Sequence, residues 1–295
     1  MALYVMPILF ALFAWWSSTG VVLYIVGRPR ASHVTAMLAA TGLLAAGLWG
    51  ISVSSADMSV RGAYVAFASA LAVWGWHEMA FLLGFVTGPR KTPSPEKPGG
   101  RAPLGASVEV VIYHEFAIAL TAALILILTA DAPNQIGLWT FVILWIARLS
   151  TKFNIYLGVP NHTEQFLPAH LKYLASYFCR RPMNLLFPLS VTISTVLTGM
   201  LIAQAAAADA PPYQVAGSVF LATLMALAVI EHWFLVLPIP SAELWTWGLA
   251  SRPHEGAPQA GADLADTPAA QSLWARPSTA NDLVSKRVPA AGANA

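Results

Sequence analysis

GVPNHTEQFLPAHLKYLASYFCRRPMNLLFPLS, residues 158–190, is the long polar passage that decides how the chain is read. It lies between two membrane-like segments and has a pattern of its own. Pro168 suits the first turn of a helix. Leu167, Leu171, Leu174 and Phe178 then recur at helical spacing, and Lys172, Tyr173 and Tyr177 fall elsewhere on the wheel. Arg180, Arg181 and Pro182 end the run. The pattern predicts an amphipathic helix over 167–180 on the membrane surface, apolar face toward lipid and basic end toward lipid phosphates. A surface helix covering the ends of a bundle would give the same pattern. Asn161 and Glu164 have capping-box spacing and are expected to start it.

Outward from this passage the chain is apolar. Charged residues make up 10% and hydrophobic residues 57%, against roughly 25% charged in ordinary soluble domains. That excludes a large soluble core and indicates an integral membrane protein. The net charge of +2 says little as a total, and nucleic acid is not an expected partner. The lone Cys179 excludes an internal disulfide and reads as a buried or interfacial thiol. No basic residue precedes the first apolar run, so no cleavable signal peptide is expected.

Apolar runs at 3–27, 34–56, 62–87, 106–130, 134–158, 184–207 and 213–237 are each long enough to cross a bilayer, which takes about 20 residues. Backbone hydrogen bonds must close internally in lipid, so the spans are helices. The expected fold is an all-α, polytopic membrane bundle of about seven transmembrane helices, residues 1–250, with a cytoplasmic amphipathic helix between the fifth and sixth. Residues 251–295 are rich in Ala, Pro, Gly and polar residues and are expected to be a disordered cytoplasmic tail. The Pro/Gly-rich loop 89–105 is expected to be mobile. Ser241 is expected to cap a short interfacial helix carrying Trp245 and Trp247.

Lys and Arg alternate between connections. Arg28 and Arg30, then Arg90, Lys91, Lys97 and Arg101, then Lys172, Arg180 and Arg181, and finally Arg252, Arg276, Lys286 and Arg287 follow odd-numbered spans. The other connections hold only Arg61. The positive-inside rule then places the N-terminus in the periplasm and the C-terminus in the cytoplasm of an inner membrane. A reporter fused after residue 100 is expected to be cytoplasmic, and one after residue 132 periplasmic. The reverse pattern would overturn this orientation.

Five of the seven histidines lie in or beside spans three to seven: His77, His114, His162, His170 and His232. Glu78, Glu115, Glu164 and Glu231 accompany them, and the fifth span adds Arg148 and Lys152. Ionisable groups at membrane depth are costly and face the bundle interior or a wet cavity. Counted from the cytoplasmic end, His77 and Arg148 lie ~15 Å deep, His114 ~12 Å, and Glu231 and Lys152 ~9 Å. His162, Glu164 and His170 stand at the surface above them. The outer half of the bilayer holds no such group except near its rim.

Imidazole and carboxylate together suit Fe, Mn or Zn. His77, Glu78, His114, Glu115, Glu231 and His232 are the candidate ligands, with at least three expected to converge near Arg148 or Lys152. In an adjacent His-Glu pair only one side chain can point at a given spot, since neighbours on a helix diverge by about 100°. The Glu-x-x-His pattern of di-iron bundles is absent, as are the HxxxH and HxxHH boxes of membrane desaturases. Arg148 and Lys152 pairing with Glu78, Glu115 or Glu231 as a purely structural network is the competing expectation.

The passage GVPNHTEQFLPAHLKYLASYF followed by RRPMNLLFPLSVT resembles the PuhE-type photosynthetic-complex assembly proteins of purple bacteria. The resemblance extends to WGWHEMAFLLGFVTGPRK (74–91), VIYHEFAIAL (111–120) and EHWFLVLP (231–238), and covers roughly residues 1–250. It implies an assembly factor in bacteriochlorophyll-protein biogenesis. The implied partners are the lipid bilayer and reaction-centre or light-harvesting subunits or pigment-synthesis enzymes. It carries over no catalytic residue. Bacteriochlorophyll or a precursor then joins the metals as a candidate ligand, because a neutral histidine nitrogen can ligate magnesium. His77, His114, His162, His170 and His232, with Arg148 and Lys152, are the candidate binding residues. Trp74, Trp76, Trp139, Trp145 and Trp233 could line a macrocycle pocket. The alternative function is a membrane-embedded, metal-dependent oxidoreductase acting on a pigment or isoprenoid.

Overall fold

The computed structural model describes residues 1–95, 100–162 and 164–251. Residues 96–99 of the expected mobile loop and 252–295 of the expected tail lie outside the described residues. Within them the regular structure is helical: α1 (Ala2–Val26), α2 (His33–Ser54), α3 (Val60–Leu82), α4 (Leu104–Glu109), α5 (Ile112–Leu128), α6 (Ile136–Leu157), α7 (Leu186–Ala205), α8 (Pro212–Phe234) and α9 (Thr246–Leu249). Six helices, α1, α2, α3, α6, α7 and α8, are long and apolar enough to cross a membrane. The expected fourth span is broken at Val110 and Val111 into α4 and α5. With 17 residues, α5 is about 26 Å long, short of the ~30 Å hydrocarbon core.

The connections meet at two ends. At one, Asn134 Nδ2 donates to the carbonyls of Ser54 (2.9 Å) and Asp57 (3.1 Å), and Tyr4 Oη donates to Ala205 O (3.1 Å). At the other, the His114 amide donates to Thr87 O (2.9 Å), that of Val159 to Cys179 O (3.2 Å) and that of Asn161 to Leu235 O (3.0 Å). This second end carries Arg90, Lys91, Arg101, Lys172, Arg180 and Arg181 and is here called the basic end.

At the centre, α8 buries 72% of its apolar window, whereas α7, packed chiefly on α8, buries 6%. Phe220 of α8 stacks on Phe67 of α3 with centroids 4.3 Å apart, and Tyr64 meets Phe220 edge-on at 4.8 Å. Such pairs add ~0.5–1.5 kcal/mol beyond area burial. Leu38, Trp49 and Ile127 on outer helices are each more than two thirds exposed, as lipid-facing residues are.

The polar passage between α6 and α7 is amphipathic, but not α-helical. A 3₁₀ helix runs over Ala169–Tyr177. Its three-residue turn aligns Leu171, Leu174 and Tyr177, all at most 5% exposed. The α reading had put Phe178 on that face; Phe178 instead packs near Ile155, Val159 and Leu235. The buried face does not lie on lipid. It packs on Ala102, Ala106 and Val110, with Phe81 beside them. Tyr177 Oη donates to Thr92 O (2.9 Å), and Ser176 Oγ accepts from the Ser94 amide (2.7 Å). The segment is therefore a plug over the basic end of the bundle.

Two smaller expectations are also corrected. Asn161 does not start this helix: its Nδ2 donates to Phe234 O (3.1 Å) and to Leu237 O, satisfying carbonyls at the end of α8. Ser241–Trp245 is a 3₁₀ turn that leads into α9 and docks on α1. Trp245 is 5% exposed and donates from Nε1 to Trp16 O (3.0 Å), so it anchors to protein rather than to headgroups.

Candidate functional site

Helix α6 is the spine of the polar layer. Arg148 and Lys152, four residues apart, share one face. Arg148 forms a fork on Glu78 of α3, with Nε to Oε1 at 3.1 Å and Nη2 to Oε2 at 2.6 Å. Lys152 Nζ donates to Glu115 Oε1 of α5 at 2.5 Å, and Trp145 Nε1 donates to Glu115 Oε2 at 3.1 Å. The Lys152 ammonium also stands 5.6 Å from the centroid of the Phe81 ring. Glu231 of α8 accepts from Trp15 Nε1 of α1 at 2.9 Å and lies within electrostatic reach of Arg148. Three carboxylates thus surround two cations, and five helices are tied through them.

His77 and His114 meet inside this layer, ring centroids 6.4 Å apart. Each is 1% exposed. His77 Nε2 is 3.1 Å from Thr121 Oγ1. The Nδ1 atoms of His77 and His114 are buried without a hydrogen-bond partner among the described residues. Orphaned buried nitrogens are costly and are rare without a role or a bound water. Glu78, Lys152 and Arg148 all act electrostatically on His114.

The other predicted residues stand apart. His232 bonds Ser150 on the opposite side of α6 (2.8 Å) and Ala228 O (2.7 Å). His162 lies at the basic end, with Nε2 3.0 Å from Cys179 O and Nδ1 3.3 Å from Glu164 Oε1, and Glu164 also accepts from Arg180 at 3.2 Å. His170 packs against Gly84, where the backbone has φ +83° and a Cβ would stand 3.1 Å from the imidazole. Burial lowers the affinity of His170 for a proton.

The expected convergence of three metal ligands is not what the structure shows. Among the described residues no group of three or more His, Cys, Asp and Glu side chains is placed to hold a metal ion. The physical reason is that Glu78 and Glu115 turn to the cations of α6, while Glu231 and His232, adjacent on α8, diverge to α1 and α6. The six candidate ligands are therefore not grouped as a metal centre in this arrangement. His77, His114 and His232 are each 1% exposed. The structural pairing of Arg148 and Lys152 with glutamates is present as expected. Sequence reading missed Thr121, Ser150 and Trp15, which supply further hydrogen bonds to His77, His232 and Glu231, and Ser190, which bonds Ser150. Hydroxyls and indoles are ordinary in apolar helices and carry no signal of their own.

The fold and this layer define a helical membrane protein whose helices are joined by ion pairs. Residues 1–256 match the family described as a protein of unknown function (DUF3623), and the chain belongs to that family. It is 44% identical over 246 residues, 81% of this chain and 89% of the relative, to the "Uncharacterized 30.4 kDa protein in puhA 5'region" of Rhodobacter capsulatus. No solved structure matches it.

Proposed function

We propose that the chain is a PuhE-type assembly factor for bacteriochlorophyll-protein complexes. It would work in the inner membrane with its basic end in the cytoplasm, alongside reaction-centre or light-harvesting subunits or pigment-synthesis enzymes. The observation that supports this is the relative over most of both chains, whose name places it beside puhA, a photosynthesis gene. The layer around His77 and His114 is the part of the bundle suited to more than support. Its ion pairs hold the helices, whereas the two imidazoles keep unpartnered nitrogens.

The test is to replace His77 or His114 by alanine in the chromosomal gene of a phototrophic host. Inserted protein and the absorption of assembled pigment complexes are then measured in the same membranes. The expected result is a several-fold fall in complexes with the chain still accumulating. A proportional fall in both would assign the histidines to structure alone. Unchanged complexes in a strain lacking the chain altogether would overturn the assembly reading.

A further inference from the structure

The face of α6 opposite the ion pairs carries a second feature. Between α6 and α7, with α8 as its floor, runs a groove of about 800 Å³. Gln135, Gln204 and Gln214 stand at one end, and Ser150 and Ser190 near the basic end. The lining between them is chiefly aliphatic, including Ile143, Ile146, Ile193 and Leu197.

The basic end of the groove is a built polar cluster. His232, 1% exposed, has Nδ1 2.7 Å from Ala228 O and Nε2 2.8 Å from Ser150 Oγ. A carbonyl only accepts, so Nδ1 carries a proton, and in the neutral ring Nε2 accepts the Ser150 hydroxyl. Ser190 Oγ lies 2.9 Å from Ser150 Oγ and 3.3 Å from Asn154 Nδ2. Ser150 has a single proton and cannot give it to both neighbours; with that proton on the imidazole, the Ser150–Ser190 bond uses the proton of Ser190. Both hydroxyl protons are used inside the cluster, and each serine oxygen keeps lone-pair capacity. The end of the groove therefore accepts a hydrogen bond.

Three observations narrow the occupant. The first is charge. Arg148 and Lys152 lie about 200° around α6 from Ser150 and are taken up by Glu78 and Glu115. Among the described residues no cation lines the groove, so a phosphate head is unmatched there. The second is length. Gln135 to Ser150 spans roughly 22 Å of helix, more than one leaflet, which is about half of a ~30 Å core. The third is volume. A spanning helix about 10 Å across and 30 Å long occupies roughly 2,400 Å³, so a helix would enter the groove only with its side chains.

We propose that this groove binds a neutral, single-tailed amphiphile of isoprenoid length. The tail lies along α6 and α7, and a hydroxyl donates to the Ser150–Ser190 cluster. The proposal goes beyond the assembly role and does not depend on it.

The test uses the full chain in mild detergent and geranylgeraniol carrying a photoactivatable diazirine. Expected labelling falls on the groove faces of α6 and α7. Excess unlabelled geranylgeraniol should remove it several-fold, while phosphatidylglycerol or the methyl ether of geranylgeraniol, which lacks the donor, should compete poorly. Ser194→Trp, which fills the groove, should reduce labelling several-fold, whereas Leu38→Trp on the far lipid face should not. Thermal melting of both variants confirms that they are folded. Labelling spread evenly over α2 and α5, equal competition by phosphatidylglycerol, or undiminished labelling of folded Ser194→Trp would each overturn the proposal and leave ordinary lipid contact.

Discussion

Glu78→Gln is expected to deplete the folded chain in the membrane. The Arg148 guanidinium would keep its charge and lose the carboxylate that takes both Nε and Nη2. Breaking a buried pair by removing one partner costs ~3–5 kcal/mol, because the other charge is left uncompensated. The loss here falls below that range, about 1–2 kcal/mol, since the Arg148 side chain remains 43% exposed and Glu78 14%. Net stabilities of whole domains are only ~5–15 kcal/mol, so that loss should be visible as lower accumulation and earlier melting in detergent. The double variant Glu78→Gln with Arg148→Met should recover much of both, as apolar replacements of an entire pair are often neutral. Wild-type stability in the single variant would show that Glu231, also within electrostatic reach of Arg148, is sufficient as its counter-charge.

The sequence made the class and the bundle legible because a span leaves a long signal: some twenty apolar residues, then turn residues and charge. It also made legible that ionisable groups of separate helices share one level, since position along a helix converts directly to height. What it could not give was direction around the helix axis relative to neighbours. His77-Glu78 and Glu231-His232 look like ligand pairs in one dimension. In space Glu78 turns to α6, Glu231 to Trp15, and His232 to the far side of α6. The break at Val110 and Val111 was hidden for a related reason. The segment is apolar throughout, and what stops the helix is contact with the 83–88 loop rather than a local breaker. Likewise the spacing in 167–180 fits both 3.6 and 3.0 residues per turn in part. Only the partner surface of Ala102, Ala106 and Val110 selects the tighter one.

Gly88→Ala should disturb that junction more than any other glycine substitution in the third helix or the loop after it. A Cβ at Gly88 would stand 2.0 Å from Glu109 O, 2.6 Å from Val110 C and 2.9 Å from Glu109 C. All three are backbone atoms, so no side chain can swing aside, and the loop itself must move. Thr87, next to it, accepts the amide of His114 in the first turn of α5 at 2.9 Å. Displacing Thr87 would therefore loosen the start of the helix that positions both His114 and Glu115. The expected cost is that of overpacking, ~1–3 kcal/mol, read as a lower melting temperature in detergent, with complex yield falling further than protein level. Gly75 has nothing within 4 Å of its would-be Cβ. Gly75→Ala is thus the matched control: it lies inside α3, where alanine is favoured over glycine by up to about 1 kcal/mol, and should leave melting unchanged or raise it. Equal melting temperatures for the two variants would show that the 83–88 loop yields freely and does not fix the position of α5.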